Sequence, residues 1–368
     1  MMTKKASYEY KFPSIKGIQA SQEYYIAMCP LRLIPKIFLF DEEELVPELR
    51  AQRVLNKSRI PDISNYILDN PKSYVFSALS ASIDGDLRFI PAEGVADDDA
   101  VGTLHIPMSA TFIINDGQHR RAAIEEAIKE KPELADETIA IVFFKDKGLK
   151  KSQQMFADLN RYAVKPSKSL GVLYDHKDPT AEITRNVVKD SNVFKNLVEF
   201  EKTTLAPRSR RLFTMSSIHQ ANKLLLSSQD SEDIEKLSLI ATEFWDELDQ
   251  YIPEWYAMRS NKASSGEIRQ DFIHSHSVAL SAFGRFGSTL LKDKNWKTKL
   301  ANIESIDWRR SNTALWEGRA MRDGKISKAH DCILLTSIFL KEKAGLSLTP
   351  EEESKENKFK EERNIKNG

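Results

Sequence analysis

The chain has 368 residues, of which 41% are hydrophobic, so it is long enough for two domains with substantial cores. Its 54 Lys and Arg residues balance 54 Asp and Glu residues, which excludes a global basic signature for nucleic-acid binding and leaves only local clusters. The two cysteines are far apart, and the sequence shows neither a signal peptide nor an apolar run of membrane-spanning length. It therefore predicts a reduced cytoplasmic protein without structural zinc.

The amino-terminal half alternates strand and helix patterns. Residues 23–40 are rich in β-favouring side chains and predict strands that are interrupted at Pro30 and Pro35. Residues 41–56 and 60–68 carry apolar side chains at helical spacing and predict two short helices.

Four further strands are expected downstream. Residues 73–83 are β-favouring, and the Asp-Gly-Asp of residues 84–86 is typical of a hairpin turn into residues 87–90. Residues 103–106 and the continuous apolar run at 138–144 predict two more strands, the second of them interior. Alternation of this kind favours an α+β or α/β domain with a mixed sheet.

The sequence pattern changes twice between residues 110 and 127, from strand to turn and from turn to helix. Residues 112–114 are an apolar run too short for a helix, residues 115–117 (Asn-Asp-Gly) form a turn, and helical spacing begins at Arg120. A strand that turns sharply into a helix presents unpaired N–H groups and the positive end of the helix dipole, which favours an anion. The candidate phosphate-binding or nucleotide-binding residues are Gly117, Gln118, His119, Arg120 and Arg121.

These residues also have a plainer interpretation. Asp116 can cap the helix, Gly117 can simply permit the turn, and the two arginines can be solvated surface charge. The spacing of Asp116 and His119 suits an acid–base pair, so these two are the candidate catalytic residues. The same spacing permits a metal ion, but no third ligand is near in sequence, and no metal site is assigned. The chain has no Gly-x-x-x-x-Gly-Lys-Ser/Thr loop, which excludes a P-loop ATPase.

Local basic clusters are the candidate DNA contacts. Residues 202–214 carry four basic residues and no acidic one, and lysines are in excess around a short helix predicted over 152–161. The DNA-binding assignment from these clusters is Lys165, Lys168, Arg208, Arg210 and Arg211. Hydroxyl groups at 214–217 suit DNA phosphates or ordinary helix N-caps, and the basic side chains also suit a solvated face.

After about residue 178, strand signals give way to helical spacing. The predicted helices cover residues 180–189, 215–228, 231–251, 268–291 and 327–344. Trp308 and Trp316 lie among arginines, where they suit core anchors or a grip on nucleic acid. His274 and His276 would face different sides of a helix and are interpreted as structural. The charged residues 351–368 predict a solvated helix or disorder.

These patterns divide the chain into four segments. They are an N-terminal segment (1–22), an α/β domain that carries the turn (23–177), a helical domain (178–345) and a charged tail (346–368). Cys29, in the first predicted strands, is interpreted as a small buried apolar residue. The alternative is that the thiol of Cys29 contacts a ligand, and for that reason Cys29 is included among the candidate DNA contacts.

Three sequence elements together resemble a known family. Residues 116–120 spell Asp-Gly-Gln-His-Arg, Gln52-Arg53 precedes a short helix, and residues 156–160 spell Phe-Ala-Asp-Leu-Asn. With the chain length, they are similar to DndB, the DGQHR-domain family of the bacterial DNA phosphorothioation (DNA sulfur modification) system. This resemblance adds Arg53 to the candidate DNA contacts. The DGQHR domain is in turn similar to the ParB and sulfiredoxin superfamily, which implies a ParB-like mixed-sheet domain followed by a mainly helical domain.

The resemblance also implies roles for the residues of the turn. In the ParB superfamily the corresponding turn contacts the phosphates of a nucleotide, and Gly117, His119, Arg120 and Arg121 fall on matching positions. Gln118 replaces an acidic residue of ParB, and a neutral amide is a weak ligand for magnesium, so a role for magnesium stays open.

The function that the resemblance implies is a DNA-binding transcriptional repressor of the modification gene cluster, controlled by ATP or another nucleotide. The alternatives are a nucleotide hydrolase (ATPase) or DNA-nicking enzyme that uses the DGQHR motif, and a scaffold that binds the modification enzymes without DNA. The expected partners are double-stranded promoter DNA, a second copy of the chain and other DNA phosphorothioation proteins.

Overall fold

The computed structural model describes residues 8–38, 57–93, 100–145, 154–155, 158–159 and 166–367. Two compact units, Met1–Val164 and Lys165–Gly368, make up the chain. The helix predicted over 41–56 lies outside the described residues, as do the candidate DNA contacts Arg53 and Lys165 and most of the helix predicted over 152–161.

The first unit is built on a mixed sheet of seven described strands. In chain order they are β1 (Glu9–Gln19), β2 (Gln22–Pro30), β3 (Leu79–Asp84), β4 (Arg88–Pro91), β5 (Val101–Pro107), β6 (Thr111–Asp116) and β7 (Thr138–Lys145). Their order in the sheet is β4-β5-β1-β2-β7-β3-β6, and the β3–β7 pair is parallel. The helices described here include α1 (Ile34–Ile37), α2 (Ile60–Asp69) and α3 (Gln118–Glu130), which confirms the predicted α+β class.

Strand β7 lies inside the sheet, between β2 and β3, as its continuous apolar run predicted. Its side chains Ile139, Ile141 and Phe143 are buried, whereas the side chains between them are only partly covered. Successive side chains of a strand point to opposite faces, so one face of the sheet forms the core of this unit.

The sheet curls around that core. The ring centroids of Tyr10 on β1 and Phe112 on β6 are 6.0 Å apart, although three strands separate β1 from β6 in the sheet. Phe143 of β7 contacts both Phe12 and Phe112, with centroids 5.9 and 6.0 Å away. Strand twist brings these distant positions together, and Ile124 of α3 belongs to the same core.

Three local predictions are corrected by the structure. Residues 9–19, for which no element was predicted, form β1, in which Ser14 is buried whereas Ile15 and Ile18 are exposed, so the apolar alternation is broken. Residues 84–86 do not close a hairpin, because β3 pairs with β6 and β7 whereas β4 pairs with β5. Pro35 lies in the first turn of α1 rather than in a strand, where its missing N–H leaves no hydrogen bond unmade.

The second unit is mainly helical, as predicted for the carboxy-terminal half. Its described helices include α4 (Lys168–Tyr174), α5 (Pro179–Asp190), α6 (Met215–Leu225), α7 (Ile234–Asp249), α8 (Pro253–Arg259), α9 (Ser265–Asp271), α10 (Ser277–Leu290), α11 (Trp296–Ala301), α12 (Thr313–Trp316), α13 (His330–Lys343) and α14 (Pro350–Asn367). Two short strand pairs accompany them, β8 (Val198–Glu199) with β9 (Phe213–Thr214) and β10 (Met321–Arg322) with β11 (Lys325–Ile326). The helix predicted over 268–291 is interrupted between α9 and α10.

Aromatic side chains fill the core of the second unit. Trp308 and Trp316 are buried and stacked, with ring centroids 5.0 Å apart, which confirms their interpretation as core anchors. His274 is fully buried among aromatic rings, in agreement with a structural role. Gly284 lets α10 lie close to α6, because a Cβ atom there would be 2.2 Å from the carbonyl oxygen of Ala221.

The charged tail packs onto the second unit as helix α14. Two of its carboxylates, Glu352 and Glu356, are buried and pair with the buried cations Lys341 and Arg319. The helical alternative for the tail is therefore confirmed, but one side of the helix is not solvated. Its ion-pair partners, Lys341 of α13 and Arg319, lie outside the tail. The sequence of the tail alone therefore could not show that the helix packs onto the second unit.

Candidate functional site

The DGQHR turn joins β6 directly to α3 in the first unit. Asp116 ends the strand, Gly117 adopts a φ of 107° and Gln118 begins the helix, which confirms the predicted strand, turn and helix. A Cβ atom at position 117 would lie 2.3 Å from Cδ2 of Leu79, so the turn needs glycine both for its backbone angle and for space.

Arg120 is engaged by its own protein chain. Its Nη2 lies 2.5 Å from Oδ2 of Asp116, and its Nη1 donates to the carbonyl oxygens of Ser77 and Ala78 at 2.6 and 3.1 Å. The same nitrogen also donates to the hydroxyl of Ser77. The guanidinium thus ties the turn to the segment that leads into β3, and Asp116 neutralises part of its charge.

Arg121 is engaged in the same way. It is 9% exposed, its Nε donates to the carbonyl oxygen of Phe38 at 3.0 Å, and its Nη2 donates to that of Pro35 at 3.3 Å. Its Nη1 pairs with Glu125 at 2.5 Å. The guanidinium of Arg121 thus donates hydrogen bonds to carbonyl groups at the end of α1, so Arg121 holds α1 against α3.

The donors that remain at the turn are the side chain of Gln118 and the backbone N–H groups of the first helical turn. Nε2 of Gln118 is buried and has no hydrogen-bond partner among the described residues, and the same holds for Oδ1 of the fully buried Asn115. Burial and the nearby charge of Arg59 lower the pKa of His119, so its imidazole is neutral near pH 7. Within the described part of the chain, no three His, Cys, Asp or Glu side chains are grouped to hold a metal ion.

Replacing Gly117 with alanine is expected to lower the free energy of unfolding by about 1–3 kcal/mol, because alanine is strained at this φ and would overlap Leu79. Gly171 in α4 is the matched control, since a Cβ atom there would meet nothing within 4 Å. Its replacement by alanine should stabilise the protein by up to about 1 kcal/mol. Urea unfolding of the two variants measures the difference, and equal effects would contradict the strained turn.

A basic cleft of about 1240 Å³ opens in the second unit, between residues 192–197, 207–211 and 258–267. The cations that line it are Lys195, Arg208, Arg210, Arg211, Arg259 and Lys262, and the lining carboxylate is Glu267. Arg259 is paired with Asp249 at 2.8 Å. The other five cations lie on exposed residues, so the cleft has the charge expected of a site for a polyanion.

Arg269 holds the loop that carries the three arginines. Its guanidinium donates to the carbonyl oxygens of Ala206 at 3.0 Å, Pro207 at 3.0 Å and Ser209 at 3.2 Å. The hydroxyl of Ser265 donates to the Ser209 carbonyl as well. Burial lowers the pKa of Arg269. Because the ordinary pKa of arginine is far above 7, the group stays charged at neutral pH. The loop is therefore held by charged hydrogen bonds from α9.

The three arginines of this loop differ in what they contact. Arg211 donates to the carbonyl oxygen of Asn196, across the cleft. Arg208 and Arg210 make no hydrogen bond or ion pair with any residue that the structure describes, so their donors face solvent. An arginine whose guanidinium donors are free can bind a phosphate through two parallel hydrogen bonds.

Two further candidate DNA contacts, Lys168 and Cys29, are among the described residues and do not line the cleft. Lys168 is exposed at the start of α4 and does not line the cleft. Cys29 has no exposed surface, and burial raises the pKa of its thiol to about 12, so this sulfur has nothing to offer to DNA in the folded chain. Its interpretation as a buried apolar residue is confirmed. Thr214 is the N-cap of α6 and accepts from the backbone N–H of Ser217, as the alternative for these hydroxyls predicted.

Sequence reasoning missed Lys195, Lys262 and Arg269. Each is a single basic residue in a polar segment, more than ten residues away from the 208–211 cluster in sequence. The folding of residues 192–197 and 258–267 around the loop brings them together, and a single sequence carries no signal for that proximity.

The fold and these two sites define a two-unit α+β protein with a strand–turn–helix motif in one unit and a cationic cleft in the other. The sequence profile of the DndB family, described as DNA-sulfur modification-associated, matches residues 12–347, and the chain belongs to this family. The matched region includes both the DGQHR turn and the basic cleft. Comparisons with curated proteins and with solved structures gave no match. None of the helices in the described ranges is long and apolar enough to cross a membrane.

Proposed function

We propose that this protein is a DNA-binding repressor of the DNA phosphorothioate modification gene cluster, and that the basic cleft holds the DNA. Membership of the DndB family gives the DNA-sulfur modification context. The observation that carries the proposal is the cleft itself, whose lining has five exposed cations and one carboxylate and whose three-arginine loop is held by Arg269. Promoter duplex is the expected partner, bound by one or two copies of the chain.

Wild-type protein is expected to bind duplex DNA from its own promoter region more tightly than random duplex, with an affinity that falls steeply as salt rises. The double variant Arg208→Ala/Arg210→Ala should bind roughly 30-fold more weakly, at about 1 kcal/mol per contact. Its slope of log affinity against log salt should be shallower by about 1.8, because two phosphate contacts are lost. Fluorescence anisotropy across a salt series measures both quantities.

The matched control is Lys236→Ala/Lys294→Ala, which removes two exposed charges that do not line the cleft. This variant should keep the wild-type affinity to within about twofold. Equal losses in the two double variants would show that only overall charge matters. If the protein showed no preference for the promoter region over random duplex, the repressor proposal would be wrong.

The second part of the proposal is a nucleotide phosphate at the DGQHR turn, in the manner of the ParB-like proteins that the motif resembles. It is supported by the unpartnered Nε2 of Gln118 at the start of α3. Since Arg120 and Arg121 donate to the chain's own carbonyl groups, the phosphate contacts would come from backbone N–H groups and Gln118.

Calorimetric titration with ATP, with and without magnesium, tests this pocket. Gln118→Ala should weaken binding by about 1–2 kcal/mol, or roughly 5- to 30-fold, because one hydrogen bond to a charged phosphate is lost. Gln154→Ala, an exposed amide of the same unit, is the control and should not change the affinity. No heat of binding in wild type would rule the pocket out.

The alternative function is nucleotide hydrolysis or DNA nicking at the same turn. It is favoured by the position of Asp116, whose side chain is 48% exposed at the turn. Phosphate release from ATP and relaxation of supercoiled plasmid are the two assays. Turnover that disappears in Asp116→Ala would support the enzyme, whereas unchanged turnover in that variant would exclude Asp116 as its proton-handling group.

A further inference from the structure

We infer that the basic cleft takes the sugar–phosphate backbone of duplex DNA and does not read the bases, so that any sequence preference arises at another surface. This inference rests on the proposed function and deepens it. Three features of the cleft carry it: the side chains that line it, the shape of its walls and the state of its hydrogen-bond acceptors.

The lining of the cleft suits phosphates and lacks a surface for stacking. Five of its exposed residues are lysine or arginine, whose donors match phosphate oxygens. None of the described residues that line it is aromatic. Proteins that bind single-stranded DNA stack successive bases on aromatic rings, so this cleft lacks the feature that would favour a single strand over a duplex.

The walls of the cleft are loop segments together with the end of α8 and the first turn of α9, and they form a concave surface. Side chains that read base edges project from a helix or a β-ribbon that enters a groove of the DNA. Here Arg208 and Arg210 lie on a loop whose carbonyl groups are fastened to Arg269, and they line a depression instead of a protruding element. A depression receives a convex guest, and on a duplex the convex part is the backbone.

The one carboxylate among the described lining residues already has a structural role. An oxygen of Glu267 accepts the backbone N–H of Ser264 at 2.9 Å in a capping box. The side-chain NH2 of Asn192 donates to Asp246 at 3.3 Å. Adenine and cytosine present amino groups in the major groove, and their recognition needs free acceptors.

Affinity is measured for wild type, Arg208→Ala/Arg210→Ala and Arg208→Lys/Arg210→Lys on three DNAs of one length: promoter duplex, random duplex and single strand. The alanine variant should lose the same factor, roughly 30-fold, on both duplexes, so that the ratio of promoter to random affinity stays within about twofold of wild type. The lysine variant keeps the charges but not the planar forks, so it should lose less affinity than the alanine variant and should keep the ratio. A duplex with methylphosphonates in place of the contacted phosphates should reproduce the alanine loss in wild-type protein.

A fall of the promoter-to-random ratio in either variant would show that these arginines read bases and would overturn the inference alone. Tighter binding of the single strand than of the duplex would overturn it as well. If wild type bound no duplex at all, the proposed function and this inference would fall together. Thermal melting of each variant confirms that the fold is retained, which is expected because Arg208 and Arg210 are exposed.

Discussion

Replacing Glu356 with alanine is expected to lower the free energy of unfolding by about 3–5 kcal/mol, because it leaves a buried guanidinium without its carboxylate. Arg319 is 4% exposed, lies between the rings of Phe339 and Phe359 and forms two bonds to Glu356, one of them 2.8 Å long. Burial is the largest single effect and raises the pKa of Glu356, but the hydrogen bonds and charges of Arg319 and Lys360 together outweigh it, and the net shift is downward. Denaturant unfolding of the full chain measures the loss.

The pH dependence of this pair has a definite sign. A carboxyl group whose pKa is lower in the folded than in the unfolded state contributes stability above its unfolded pKa, near 4.5 for Glu356. That contribution is lost as the pH falls through the folded value. The difference in stability between wild type and Glu356→Ala should therefore be full at pH 7 and shrink in acid.

Glu361→Ala is the matched control for this prediction, since Glu361 is exposed on the same helix. It should change the free energy of unfolding by no more than about 0.5 kcal/mol. The double variant Arg319→Met/Glu356→Leu should recover most of the stability, because apolar residues of similar volume often replace a buried ion pair at little cost. If Glu356→Ala behaved like Glu361→Ala, the tail helix would not be fastened by this pair.

Replacing Arg269 with lysine is expected to weaken DNA binding about tenfold, or by about 1.4 kcal/mol. Lysine keeps the charge but cannot reach the carbonyl groups of Ala206, Pro207 and Ser209 at once. The loop would then lose order, and binding would have to immobilise the side chains of Arg208 and Arg210. Because those side chains remain, the slope of affinity against salt should stay at the wild-type value, which anisotropy titrations can show.

Arg185→Lys is the control for this substitution. Arg185 donates to the carbonyl oxygens of Val172 and Asp175 at 2.7 Å each, and it does not line the cleft. The two lysine variants should lose similar amounts of stability, but only Arg269→Lys should lose DNA affinity. If Arg269→Lys bound DNA with the wild-type affinity, the hydrogen bonds from Arg269 to the loop would not be needed for binding.

Local patterns were enough to predict the turn and the helical half. An apolar run, Asn-Asp-Gly and renewed helical spacing all occur within residues 112–124, so short-range chemistry specifies the strand, the turn and the helix. The Asp-Gly at residues 84–85 is equally local, yet the hairpin predicted there does not form. Strand pairing depends on partners far away in sequence, and β4 finds its partner in β5.

The roles of the charged residues were harder to predict. Arg120 and Arg121 stand at the turn as the sequence indicated, but their donors are taken by carbonyl groups of residues 77–78 and 35–38. The density of arginine at 208–211 drew attention to the right loop. Arg269, which holds that loop, stands alone in sequence and gives no sign of its role.

By itself, the sequence determined where strands and helices form, where the DGQHR turn lies and which family the chain resembles, because each of these depends on residue types within a few positions of one another. The tertiary structure alone decided which cations are free and which are bound. A guanidinium binds whichever carbonyl group or carboxylate the fold places within 3 Å, and for Arg120, Arg121, Arg269 and Arg319 the fold supplies partners from distant segments. Arg208 and Arg210 have no such partner in the described chain, and they are free donors in the lining of the basic cleft.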